Sequence, residues 1–265
     1  QWSPDGHLTF VSDRTNWWNL YQLRAGRVEH LADLAAEFGR PQWRFGMTTY
    51  DFVSSDTIVC SYAGEGIWHL ARLHLPSGTL TLLDQPYTDV AYVRASENRV
   101  VFRGGSPTQP QSVVALDLDT EEIEVLRRTS AVPVDPSYLS RPQQIAFPTA
   151  DGWTAHGFYY PPRNPHYQGP EGQPPPLLVI SHGGPTSATT STLDISVQYW
   201  TSRGIAVLDV NYRGSTGYGR TYRSHLNGAW GVADVEDCVN GARHLSDQGA
   251  VDGAELLIRG GSAGG

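Results

Sequence analysis

The segment Gly260-Gly261-Ser262-Ala263-Gly264 has the spacing G-x-S-x-G and follows the apolar run Glu255-Leu256-Leu257-Ile258-Arg259 directly. A serine so placed can serve as a nucleophile. The spacing suits a sharp strand-to-helix turn that lifts the hydroxyl above a sheet, with small neighbours because strand and helix come close. The residue after the serine, Ala263, can offer its backbone N–H to a developing oxyanion. Earlier in the chain, His182-Gly183-Gly184-Pro185 follows a second apolar run, Leu177-Leu178-Val179-Ile180-Ser181. That is where a second oxyanion donor is expected in such a fold. Taken alone, His182 also fits a turn residue and the two glycines a plain loop. The two motifs together point to acyl-transfer chemistry.

The elements around these motifs alternate. Gln144–Phe147 and Ala155–Tyr160 read as a hairpin across Asp151-Gly152. Residues 177–181, 205–210 and 255–259 are apolar runs of the kind found in strands covered on both faces. Between them, residues 191–203 carry Leu193, Val197 and Trp200 at helical spacing. Residues 232–248 carry a stripe of Val235, Val239, Ala242 and Leu245. The stretch Asn211–Gly219 is a glycine-rich loop. This order predicts a mostly parallel sheet with helices, truncated after the nucleophile strand.

The first half is different. Three segments beginning at residues 8, 58 and 100 each read strand, turn, strand, tight turn, strand, and further candidate strands at 49–53 and 90–93 precede two of them. A period of 40–50 residues is that of β-propeller blades. A β-sandwich is the alternative. The expected organisation is a partial β-propeller over 1–126, a proline-bearing linker over 127–143 and the first part of an α/β-hydrolase domain over 144–265.

Composition narrows the functional classes. The formal charge is −8, which disfavours a nucleic-acid partner. All 19 basic residues are arginine, so neither a P-loop lysine nor a Schiff-base lysine is present. Cys60 and Cys238 stand far apart without metal-ligand spacing and are expected as buried free thiols; no metal and no cofactor is expected. No apolar stretch is long enough to span a membrane. Without a signal peptide at Gln1, a cytoplasmic location is the expectation.

Four stretches carry a more specific resemblance: His182–Pro185, Asn211–Gly219, Trp230–Asp237 and Gly260–Gly265. Their order and spacing resemble the prolyl oligopeptidase family of serine peptidases, and most of all its acylaminoacyl-peptidase branch, which has His-Gly-Gly-Pro where others begin with Tyr. The resemblance implies a β-propeller joined to an α/β-hydrolase domain. It implies Ser262 as nucleophile, Gly184 and Ala263 as oxyanion donors, and His182, Asn211, Tyr212 and Arg213 at the rim of the site. It implies a short peptide as substrate and allows a homo-oligomer of the full-length enzyme. In this fold the triad acid and base follow the serine, so the sequence reads as a fragment that lacks them and is inert alone. None of His156, His166, His182, His225 and His244 has the chain position of the base. An esterase or amidase of the same fold, and a non-catalytic propeller module that binds peptides, are the competing readings.

Overall fold

The computed structural model describes residues 1–43, 45–130 and 134–265. By internal contacts the chain divides into two units, residues 1–131 with 216–221, and residues 132–215 with 222–265. Among the described residues, no helix is long and apolar enough to cross a membrane, and no group of histidine, cysteine and acidic side chains is placed to hold a metal ion.

The first unit is a succession of three antiparallel sheets. The first contains β1 (Leu8–Ser12), β2 (Asn19–Arg24) and β3 (Arg27–His30). The second contains β4 (Tyr50–Ser54), β5 (Thr57–Gly64), β6 (Ile67–His74) and β7 (Thr79–Leu82). The third contains β8 (Asp89–Ser96), β9 (Arg99–Ser106), β10 (Gln109–Asp117) and β11 (Ile123–Arg128). These are the strands anticipated from the repeat, each within a few residues. Tight hairpins join them. In the β5–β6 turn Glu65 and Gly66 both have positive φ (52° and 83°), as a two-residue turn matched to strand twist requires. Strand β11 runs two residues into the anticipated linker. Pro133 of that linker lies outside the described residues, as do Ala131 and Val132.

Alternation along β5 and β6 explains how the sheets stack. Ile58, Cys60, Ala71 and Leu73 pack with Leu20, Phe38 and Tyr50 in one core cluster, whereas Val59, Ala63, Trp68 and Leu70 pack with Val90, Phe102 and Val114 in another. Successive residues of a strand point to opposite faces, so the second sheet is apolar on both. Two facing sheets around one shared core would leave one face of each wet. Three sheets in series cover both faces of the middle one. Between the second and third sheets, buried Asp89 pairs with Arg40 and lies 3.6 Å from Arg103, while the Arg40 guanidinium sits 3.6 Å over the Trp68 ring. Partners on both sides compensate the cost of removing that carboxylate from water.

The second unit holds a five-stranded sheet in the order β12-β13-β15-β14-β16. Its strands are β12 (Gln143–Pro148), β13 (Thr154–Tyr160), β14 (Leu177–Ser181), β15 (Ala206–Asn211) and β16 (Leu256–Gly260). The β12–β13 hairpin is antiparallel and joins β15 in antiparallel fashion; β15, β14 and β16 run parallel. Helices α1 (Ile195–Thr201), α2 (Gly219–Ser224) and α3 (Ala233–Asp247) lie between the later strands in the chain.

Two sequence expectations need correction. The helix expected over 191–203 begins only at Ile195, because Asp194 caps it by accepting the Ser196 N–H at 2.7 Å. Of the stripe expected on α3, Ala242 and Leu245 are buried but Val235 and Val239 are exposed; Ala233, Asp234, Asp237, Cys238 and Gly241 complete the buried face. Within residues 1–265, strand β16 pairs with β14 and is exposed along its length. Cys60 and Cys238 are free and buried, and burial pushes both thiols up to about 12.

A buried amide ties α1 to the chain that leads into β12. Gln198 accepts the Ser140 N–H (2.8 Å) and donates to the Ser140 carbonyl (3.1 Å). Replacing Gln198 by Leu strands both backbone groups in an apolar setting, which costs about 2 kcal/mol or more. Urea denaturation should show that loss, and an unchanged midpoint would contradict the role given to the amide.

Candidate active site

Parallel pairing brings the motifs to one edge of the second unit. Ser181 at the end of β14 is level with Gly260 of β16 on one side and with Val210 of β15 on the other. The residues that follow, His182, Gly261 and Tyr212, therefore leave the sheet together. Ligand and catalytic groups gather at the carboxyl ends of strands in such sheets for this reason.

Ser262 is exposed and has a φ of 56°, in the left-handed region that a serine rarely adopts. Such a conformation costs on the order of 1–3 kcal/mol and persists where the surroundings impose it. Here the surroundings are the incoming loop. A Cβ at Gly183 would lie 2.8 Å from the Gly261 carbonyl oxygen and 3.1 Å from the Ser262 Cβ, so only glycine permits this approach. The structure thus brings Ser262, Ala263 and the His182–Pro185 loop together. Gly184, also at positive φ, is exposed beside them.

His182 does not face Ser262. Its Nδ1–H donates to the Gly183 carbonyl (2.9 Å), and its Nε2 accepts from the Ser215 hydroxyl (2.8 Å). The ring stacks on Tyr212 with centroids 4.3 Å apart, and the Tyr212 hydroxyl donates to the His182 carbonyl (2.8 Å). Burial lowers the imidazole pKa, with the Gly183 carbonyl acting in the opposite sense, which favours the neutral ring that this pairing requires. Among the described residues no histidine hydrogen-bonds the Ser262 hydroxyl.

Asn211 holds the far side of the same loop. Its Oδ1 accepts the Thr189 N–H (2.8 Å), and its Nδ2 donates to the Thr189 carbonyl (3.3 Å). The Thr189 hydroxyl donates to Asp209. Arg213 turns away from Ser262 altogether. It is 1% exposed, and its Nε donates to Asp237 (2.9 Å) while its Nη2 donates to Glu236 (2.9 Å). Its Nη1 faces His225 Nε2 at 3.1 Å, and its own backbone N–H donates to Asp237 (2.6 Å). Of the anticipated rim residues, His182, Asn211 and Tyr212 shape the loop, and Arg213 fastens its neighbour to α3.

The sequence alone gives no role to Thr189, Asp209 or Ser215, and places Asp237 only at the entry of a helix. For Asp209 a signal existed, a lone carboxylate within the apolar run 205–210. Its Oδ1 is buried and has no hydrogen-bond partner among the described residues. Burial pushes the carboxyl up to about 7; the Thr189 hydroxyl opposes the rise and the charge on Asp194 adds to it. An unfolded aspartate titrates near about 4. Between those values the folded protein holds a proton that the unfolded chain releases, so stability falls as pH rises through the window and levels off above it. Asp209→Asn keeps an acceptor for Thr189 and removes the titration. Its melting temperature should overtake that of the parent progressively from pH 5 to pH 8. Parallel profiles would refute the assignment.

The sequence profile of the prolyl oligopeptidase family matches residues 191–265. The acylamino-acid-releasing enzyme of Arabidopsis thaliana is 38% identical over 90 residues, 34% of this chain and 12% of that enzyme. The crystal structure of a puromycin hydrolase superimposes with a TM-score of 0.94 at 42% identity, covering 100% of this chain and 40% of that one. A puromycin-hydrolyzing peptidase of Mycobacterium tuberculosis gives 0.95 at 41% identity, covering 99% and 41%. The chain thus spans about two fifths of the length of these solved relatives. Residues 191–265 resemble the prolyl oligopeptidase family in sequence, and the whole length shares the fold of these two solved relatives.

Proposed function

We propose that the chain is the nucleophile-bearing part of a serine peptidase that hydrolyses short peptides through an acyl-enzyme on Ser262. The observation that carries this reading is the left-handed serine at the end of β16, with the Gly183–Gly184 turn against it. In this reading the Ser262 hydroxyl attacks the scissile carbonyl and its proton passes to a histidine outside residues 1–265, oriented by an acid also outside them; that histidine gives the proton to the departing amine as the C–N bond breaks. The backbone N–H groups of Gly184 and Ala263 hold the oxyanion, and water later releases the acyl group. The three antiparallel sheets are read as blades of a propeller that limits access by size, and the second unit as the start of an α/β-hydrolase domain. The names of the two solved relatives at 41–42% identity favour a second reading, amide hydrolysis in a small molecule such as puromycin.

A protein of the relatives' length should take a fluorophosphonate probe at Ser262. Ser262→Ala should abolish labelling and lower turnover of peptide anilides by roughly 10⁴-fold or more. Short peptides should be cleaved while native casein is spared, and puromycin in the same panel separates the two readings. Turnover that survives in Ser262→Ala would remove the nucleophile assignment.

A further inference from the structure

The segment 183–188 is tied down at both ends by one short stretch of chain. At its start, His182 is held by the Ser215 hydroxyl on Nε2 (2.8 Å) and by the Tyr212 hydroxyl on its carbonyl (2.8 Å). At its end, the Thr189 backbone is clasped in both directions by the Asn211 amide, and its hydroxyl donates to Asp209. Every anchor lies within 209–215. Asp209 and Asn211 belong to β15, which is paired on both sides, to β13 and to β14. Asn211 and Ser215 are fully buried. The tethered segment opens with two glycines, whose backbone freedom is the largest of any residue. A donor carried on such a segment is useful to a transition state only if something else fixes it, because a displacement of about 1 Å can cost about 10²-fold in rate.

We propose that Asn211 and Ser215 are positioning residues that fix the Gly184 N–H for the oxyanion, acting from opposite ends of segment 183–188. The proposal rests on the reading of Ser262 as nucleophile. Neither side chain touches substrate; each acts through the loop.

The test uses the protein at the length of its relatives, with kcat expressed per Ser262 labelled to completion by a fluorophosphonate. That normalisation removes losses due to misfolded protein. Asn211→Ala and Ser215→Ala should each lower kcat per labelled site by about 10- to 100-fold, since an oxyanion donor acts mainly in the transition state. KM for a small anilide should stay within about threefold. The double variant should lose less than the product of the single losses, because both anchors act on one N–H. If Asn211→Ala does not fold, Ser215→Ala and Thr189→Val, which each remove a single hydroxyl, decide the question. The proposal is overturned if folded variants keep kcat per labelled site within about threefold of the parent, or if the double variant multiplies the single losses in full. A parent protein that takes no probe at Ser262 overturns the nucleophile reading and the anchors with it. A labelled Ser262 with silent variants overturns the anchors alone.

Discussion

A guanidinium that water cannot reach must be neutralised where it lies, and much of the second unit is arranged around that need. Arg213 sits two residues beyond the end of β15, and its charge is met by Asp237 and Glu236 from α3. Asp237 is itself buried. It accepts the Arg213 backbone N–H and side chain together with the Thr149 hydroxyl (2.6 Å), which oppose the rise in pKa that burial imposes. Removing either member would leave an uncompensated charge, at a cost of about 3–5 kcal/mol. The pair therefore locks the start of the 212–215 loop to the helix. Tyr212 and Ser215 pass that fixation to His182, and His182 passes it to Gly183, which lies against Ser262.

How much of this was visible in the sequence differs by level. The strands of the first unit were legible because their turns carry glycine and proline at the right intervals and their apolar residues alternate. The two loop motifs were legible because their residue types are tied to one geometry. The inner face of α3 was not. A count of apolar residues assigns Asp234 and Asp237 to solvent and Val235 and Val239 to the core. The structure reverses this, because Asp234 caps the turn by accepting the Gly231 N–H (2.8 Å) and Asp237 meets an arginine from another element. Burial of a carboxylate depends on a partner far away in sequence, and periodicity carries no record of that partner.

The first unit follows a different rule. Its cohesion comes from contacts between neighbouring sheets, and the second sheet contributes to two clusters at once. Stability in such an array approximates a sum of each sheet's own terms and its contacts with its neighbours. Asp89, held between Arg40 and Arg103, is a polar exception within those contacts.

The two cysteines give the molecule an unplanned pair of internal clocks. Each unit contains one of them, Cys60 in the first and Cys238 in the second, and each thiol is buried and held in its protonated, unreactive form. Reaction with a thiol reagent requires the surrounding structure to open and expose a thiolate. The rate at which each sulfur is modified thus reads the opening free energy of its own unit. Two rates that coincide would mean that the units open as one cooperative body; two that differ would rank them, without any probe having been introduced.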